Sequence, residues 1–161
     1  MADRRVDSSR KSSPETASAS DSAPRSRPTA PGNQASEAAK KKKILVVDDS
    51  LTSLLSQQLA LGTDDYDIVI ARNGKEAIAK AVAERPDLIL MDVVMPAMDG
   101  FQACRWLRAF DATKTVPIIM MTTRSDQTSI KIGFANGCTD YLIKPFDGDT
   151  LLMKVRTHLG E

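Results

Sequence analysis

A chain of 161 residues with 22 Lys+Arg against 21 Asp+Glu is long enough for one ordinary domain and carries almost no net charge. It has no apolar run long enough to span a bilayer and no apolar segment of a secretory signal at its start. Its two cysteines, Cys104 and Cys138, lack CxxC spacing, and the only histidine is His158, so a reduced, cytoplasmic compartment is expected.

Met1 to about Ala39 is Ser, Ala, Pro, Arg and Asp without period, with no Leu, Ile, Phe, Tyr or Trp and one Val. Such a segment cannot bury enough apolar surface to offset its ordering entropy. The expected organisation is a disordered basic tail over 1–42 and a folded domain over 43–161. Residues 1–43 hold 10 Lys+Arg against 5 Asp+Glu, leaving 12 against 16 for the rest, so the near-neutral total hides a basic arm on an acidic body. Lys40 to Lys43 read as a solubilising gatekeeper before an apolar strand. With no interleaved aromatic residues and no basic helical stripe, direct DNA binding is not expected. Deleting residues 1–39 should leave the thermal midpoint unchanged; a large loss of stability would show that the tail packs.

From Ile44 onward, β-rich runs alternate with helical period, the pattern of parallel βαβ units. The run ILVVD (44–48) is followed by a predicted helix at 51–61, which Ser50 can cap and Gly62 can end. Next come DIVIA (67–71), an Asn73-Gly74 turn and a helix at 74–84. DLILMD (87–92) follows Pro86 and leads to a helix at 100–109. PIIMMT (117–122) precedes a helix at 126–136, and DYLIK (140–144) precedes one at 147–159. Five strands and five helices with right-handed crossovers predict a doubly wound three-layer sandwich around a five-stranded parallel sheet. Ligands bind such sheets at the carboxyl ends of the strands, near the topological switch point.

That edge is chemically loaded. The first strand delivers Asp48 and Asp49, the third Asp92, the fourth Thr122, and the fifth Lys144 followed by Pro145. Taken singly, an Asp is a helix cap, Thr122 a strand residue, and Lys144 a turn residue. Together, three acids would raise one another's pKa unless a cation sits among them, and Mg²⁺ suits few carboxylates and several waters. Acids holding a metal ion, with a lysine and a hydroxyl beside them, suit phosphoryl transfer, and the available nucleophile is a carboxylate.

The segments ILVVDDS, LILMDVVMPAMDG, IIMMTT and TDYLIKPF, in this order, resemble the receiver domain of bacterial two-component response regulators, over about residues 43–160. The resemblance implies a flavodoxin-like (βα)5 fold, as in the stand-alone chemotaxis regulators. It implies Asp92 as phosphoacceptor, with Mg²⁺ held by Asp48, Asp49, Asp92 and the backbone carbonyl of Val94. It gives Thr122 and Lys144 to the phosphoryl group, makes the Lys144–Pro145 bond cis, and matches Tyr141 to a switch aromatic that turns inward when Thr122 moves. The phosphodonor would be a histidine kinase or phosphotransfer protein. A downstream target, or a second copy in a phosphorylation-dependent dimer, would bind the surface of the fourth helix, fifth strand and fifth helix. The chain would act as a signalling switch, not an enzyme beyond catalysing its own phosphorylation and dephosphorylation. Alternatively it is a receiver excised from a longer regulator or hybrid kinase, or a phosphorelay intermediate.

A phosphatase of the dehalogenase type, which also forms an aspartyl phosphate, needs a second acid two residues after the nucleophile, where this chain has Val94. Thr123 departs from the small residue usual after Thr122, and Arg124 occupies a position that tunes dephosphorylation in the family. In quickly resetting receivers the positions of Val94 and Arg124 carry polar or acidic side chains. Met91, Met95, Met98, Met120 and Met121 are expected to fill core, Trp106 to pack, and His158, at the far end of the last helix, to stand outside the chemistry.

Overall fold

The computed structural model describes residues 40–161, so the tail up to residue 39 lies outside the described residues. Strands β1 (Lys42–Val47), β2 (Tyr66–Ala71), β3 (Leu88–Asp92), β4 (Ile118–Thr122) and β5 (Asp140–Ile143) alternate with helices α1 (Leu51–Leu61), α2 (Gly74–Glu84), α3 (Gly100–Ala109), α4 (Gln127–Ala135) and α5 (Gly148–Leu159). The strands form one parallel sheet in the order β2-β1-β3-β4-β5. The order reverses between β1 and β3, which opens a crevice at their carboxyl ends.

Each helix starts where a short polar side chain satisfies an otherwise unpaired N–H. Ser50 accepts from Ser53, Asn73 from Glu76, Asp126 from Ser129 and Asp147 from Thr150. Asp99 and Gln102 complete a reciprocal capping box at α3. Gly62 and Gly160 end α1 and α5 at φ 80° and 77°, where a glycine avoids the Cβ clash.

Side chains alternate across the strands, as the two-residue period requires. Leu45, Val47, Ile89, Met91, Ile118 and Met120 face the layer that includes Ala77 and Ala81 of α2 and Ala103, Cys104 and Leu107 of α3. Ile44, Val46, Leu88, Leu90, Ile119 and Met121 face Leu54 and Leu61 of α1 and Leu151 and Val155 of α5. Each fully buried Leu or Ile contributes about 1.5–3 kcal/mol relative to exposure. Both faces are covered, so the central strands are apolar at nearly every position. Among the described residues no helix is long and apolar enough to cross a membrane.

Two local readings change. β1 begins at Lys42, two residues before the apolar run, because Lys42 and Lys43 pair with Tyr66 and Asp67 of β2 through the backbone. The Lys43 ammonium lies 2.9 Å from Glu84, and the Lys43 backbone N–H donates to Asp87 Oδ2 at 2.7 Å. Trp106, expected to pack, is 56% exposed. It lines a surface groove with Met98, Gln102 and Arg105.

Candidate functional site

The carboxyl ends of β1 and β3 place Asp48 and Asp92 on either side of the crevice, with Asp49 at its rim. One carboxylate oxygen from each of the three lies within 4.8 Å of the others. Asp48 is buried: Oδ1 accepts from the Ser50 N–H at 2.9 Å, and Oδ2 accepts from Gln57 Nε2 at 3.2 Å. Asp92 is also buried, and its Oδ1 lies 3.2 Å from Lys144 Nζ. The same ammonium is 3.6 Å from Asp48 Oδ2. It is drawn to this edge because the Lys144 N–H donates to the Thr122 carbonyl at 2.7 Å, just past β5. The Lys144–Pro145 bond is cis.

The turn after Asp92 explains its Pro-x-x-Asp-Gly sequence. The Gly100 N–H returns to the Val93 carbonyl at 2.8 Å, and a β-carbon on Gly100 would collide with the Asp92 carbonyl oxygen. Glycine lets α3 start against the strand end that carries Asp92. Thr122 is buried at the end of β4, and its Oγ1 accepts from the Arg124 N–H at 3.0 Å. The Val94 side chain is 67% exposed beside the site. Tyr141 lies away from the acids, inward against α4, where its hydroxyl donates to the Ser129 carbonyl at 2.8 Å. Gly133 makes that position available, since a β-carbon there would overlap the Tyr141 hydroxyl. His158 pairs with Asp140 at 2.8 Å, where Lys154 also binds, and takes no part in the acid pocket.

The Asp92 carboxyl is pushed up to about 6, first by burial, with the Lys144 ammonium opposing and Asp48 and Asp49 adding to the rise. The folded chain therefore holds this proton more tightly than the unfolded chain. That stabilising contribution is fully present below about pH 4 and is lost as pH rises through about 6. Asp92→Asn, which cannot ionise, should be more stable than the wild type at neutral pH without divalent metal. The gap in thermal midpoint should narrow as pH falls toward 4, and a gap independent of pH would contradict this origin.

Gln57 escaped the sequence reading, although a signal was present. Leu54, Gln57 and Leu61 are the buried positions of α1, and a glutamine in an otherwise apolar register asks for a polar partner.

Fold and site define a flavodoxin-like domain with an acidic pocket at its topological switch point. Residues 44–156 match the family model for the response regulator receiver domain. Protein PilH of Pseudomonas aeruginosa is 39% identical over 118 residues, covering 73% of this chain and 98% of that protein. The Vibrio cholerae chemotaxis protein CheY4 superposes with a TM-score of 0.70 at 36% identity, covering 73% of this chain and 98% of that one. The receiver domain of sensor histidine kinase PA1611 from Pseudomonas aeruginosa, solved with a magnesium ion coordinated in its active site cleft, superposes at 0.70 with 30% identity, covering 76% of this chain and 100% of that one. The chain spans about half the length of other curated relatives, which are transcriptional regulators. The chain belongs to the response regulator receiver domain family. It is a phosphorylation-dependent signalling switch.

Proposed function

We propose that the switch is thrown by transfer of a phosphoryl group from the phosphohistidine of a histidine kinase or phosphotransfer protein onto Asp92. The supporting observation is the packing of three carboxylates, one oxygen of each within 4.8 Å of the others, beside the Lys144 ammonium. This all-oxygen, excess-negative donor set fits a hard divalent ion such as Mg²⁺, held by Asp48, Asp49, Asp92 and the Val94 carbonyl. When bound, the ion supplies charge neutralisation to the phosphoryl oxygens. A carboxylate oxygen of Asp92 attacks phosphorus in line, the P–N bond breaks, and its electron pair returns to the imidazole. Lys144 stands where its ammonium pairs with a transferred phosphoryl oxygen, and the Thr122 hydroxyl donates to another.

The phosphoryl group carries about two negative charges, a net gain of about one because the Asp92 carboxylate charge is consumed in the new bond. The Thr122 oxygen accepts from the Arg124 N–H while its O–H donates to the phosphoryl oxygen, so movement of Thr122 toward Asp92 carries Arg124 and the segment from β4 into α4 with it. The responding surface is α4-β5-α5, with Tyr141 as its internal packing element. Ile132, Phe134, Ile143 and Met153 leave it with exposed apolar side chains, 36–62% accessible, suited to a protein target or a second copy. The same chemistry serves a stand-alone regulator, a phosphorelay intermediate or a module of a longer protein, all working in the cytoplasm.

The test is to incubate the protein with acetyl phosphate and Mg²⁺. One acid-stable, base-labile phosphoryl group per chain is expected, and none with chelator present. Labelling that ignores the chelator, or no labelling, would contradict the proposal.

A further inference from the structure

Gln57 is 3% exposed on α1, below a groove that Ser53, Thr123 and Lys144 also line, and only half of its amide is paired. Nε2 donates to Asp48 Oδ2 at 3.2 Å, while Oε1 is, among the described residues, a buried polar atom with no hydrogen-bond partner. The reverse amide orientation would set Oε1 against the carboxylate, so the contact with Asp48 fixes the side chain. Burying an amide with an unpaired oxygen is unfavourable, and an apolar side chain of similar volume would avoid that cost. The compensation lies at Asp48.

We propose that Gln57 is a positioning residue for the acid pocket, an inference resting on the reading of Asp92 as phosphoacceptor. Among the described residues Asp48 Oδ2 has two donors in reach, Gln57 Nε2 at 3.2 Å and Lys144 Nζ at 3.6 Å, whereas Asp92 Oδ1 has Lys144 at 3.2 Å. By occupying Oδ2, Gln57 partly satisfies Asp48 and leaves the ammonium nearer to Asp92. It also fixes the carboxylate plane together with the Ser50 N–H on Oδ1, so that Asp48 faces the metal position in one orientation. Without the amide, Lys144 is the remaining donor to Oδ2. The ammonium is then drawn away from the atom that is to carry the phosphoryl group, and Asp48 turns more freely.

Gln57→Met removes the donor while keeping an unbranched side chain of similar volume. The expected result is a thermal midpoint unchanged or higher, with Mg²⁺ affinity by calorimetry and the initial rate of labelling by acetyl phosphate each reduced, the rate by about tenfold for a lost charge-assisted hydrogen bond. Gln57→Glu, which sets an acceptor against Asp48, should slow labelling at least as much. The decisive comparison is a double-mutant cycle with Asp48→Ala, read by Mg²⁺ affinity. If Gln57 acts through Asp48, Gln57→Met has no further effect in that background, whatever it does to stability. An equal effect in both backgrounds, or an unchanged rate and affinity in Gln57→Met, would overturn the inference. Wild-type labelling that depends on Asp92, measured in parallel, separates that outcome from failure of the phosphoacceptor reading itself.

Discussion

Asp92→Asn should abolish acid-stable, base-labile labelling by acetyl phosphate, and Asp49→Ala should nearly abolish it, for two separable reasons. Asp92 is the buried acid that an ammonium reaches at 3.2 Å, and the asparagine keeps its shape but lacks the nucleophilic carboxylate. Asp49 contributes an oxygen to the carboxylate cluster from the exposed rim, where a hydrated metal ion has direct access. Its loss should therefore appear as a large rise in the Mg²⁺ needed for labelling, with partial recovery at high Mg²⁺. Asp92→Asn should bind Mg²⁺ and still fail to label. Equal labelling of wild type and Asp92→Asn would remove the assignment.

The second large effect concerns how long the signal lasts. An aspartyl phosphate is hydrolysed when a water attacks in line, and that water must be held by polar groups beside the phosphoryl group. Two residues after Asp92 stands Val94, 67% exposed and unable to hydrogen-bond a water through its side chain. Two residues after Thr122 stands Arg124, also exposed, whose backbone N–H donates to the Thr122 hydroxyl and whose side chain is a cation with no acceptor to hold a water's proton. The expected result is slow autodephosphorylation, with reset left to a phosphatase or to reverse transfer. Val94→Asn with Arg124→Glu should speed decay by about tenfold if water positioning is worth about 1.4 kcal/mol in the transition state. Decay of labelled protein after donor removal checks this. A wild type that clears within seconds, or a double variant no faster, would show that these side chains do not set the lifetime.

All ten elements were legible because both signals that define them are local. Strands covered on both faces read as apolar runs, and each helix is announced by a capping Ser, Asn or Asp. The gathering of Asp48, Asp49, Asp92 and Lys144 was legible for a topological reason, since parallel strands deliver their carboxyl ends to one edge. What escaped depends on contacts or on helical phase. The start of β1 runs through lysines because strand pairing is a backbone property that polar side chains do not reveal. A tryptophan suggests packing, whereas α3 buries Gly100, Ala103, Cys104 and Leu107, and at about 100° per residue position 106 falls off that face. Small residues take the buried side where the helix lies close to the sheet. Gln57 could be flagged as an oddity in an apolar register, but its partner nine residues away is visible only in the folded chain.

The most direct test of the account is to label the protein with acetyl phosphate and Mg²⁺, reduce it with borohydride and map the product by peptide mass spectrometry. Hydride cleaves the acyl phosphate and converts the phosphorylated aspartate to homoserine. Homoserine is expected at position 92 and nowhere else. Homoserine at 48 or 49, or labelled protein with no conversion at 92, would contradict it.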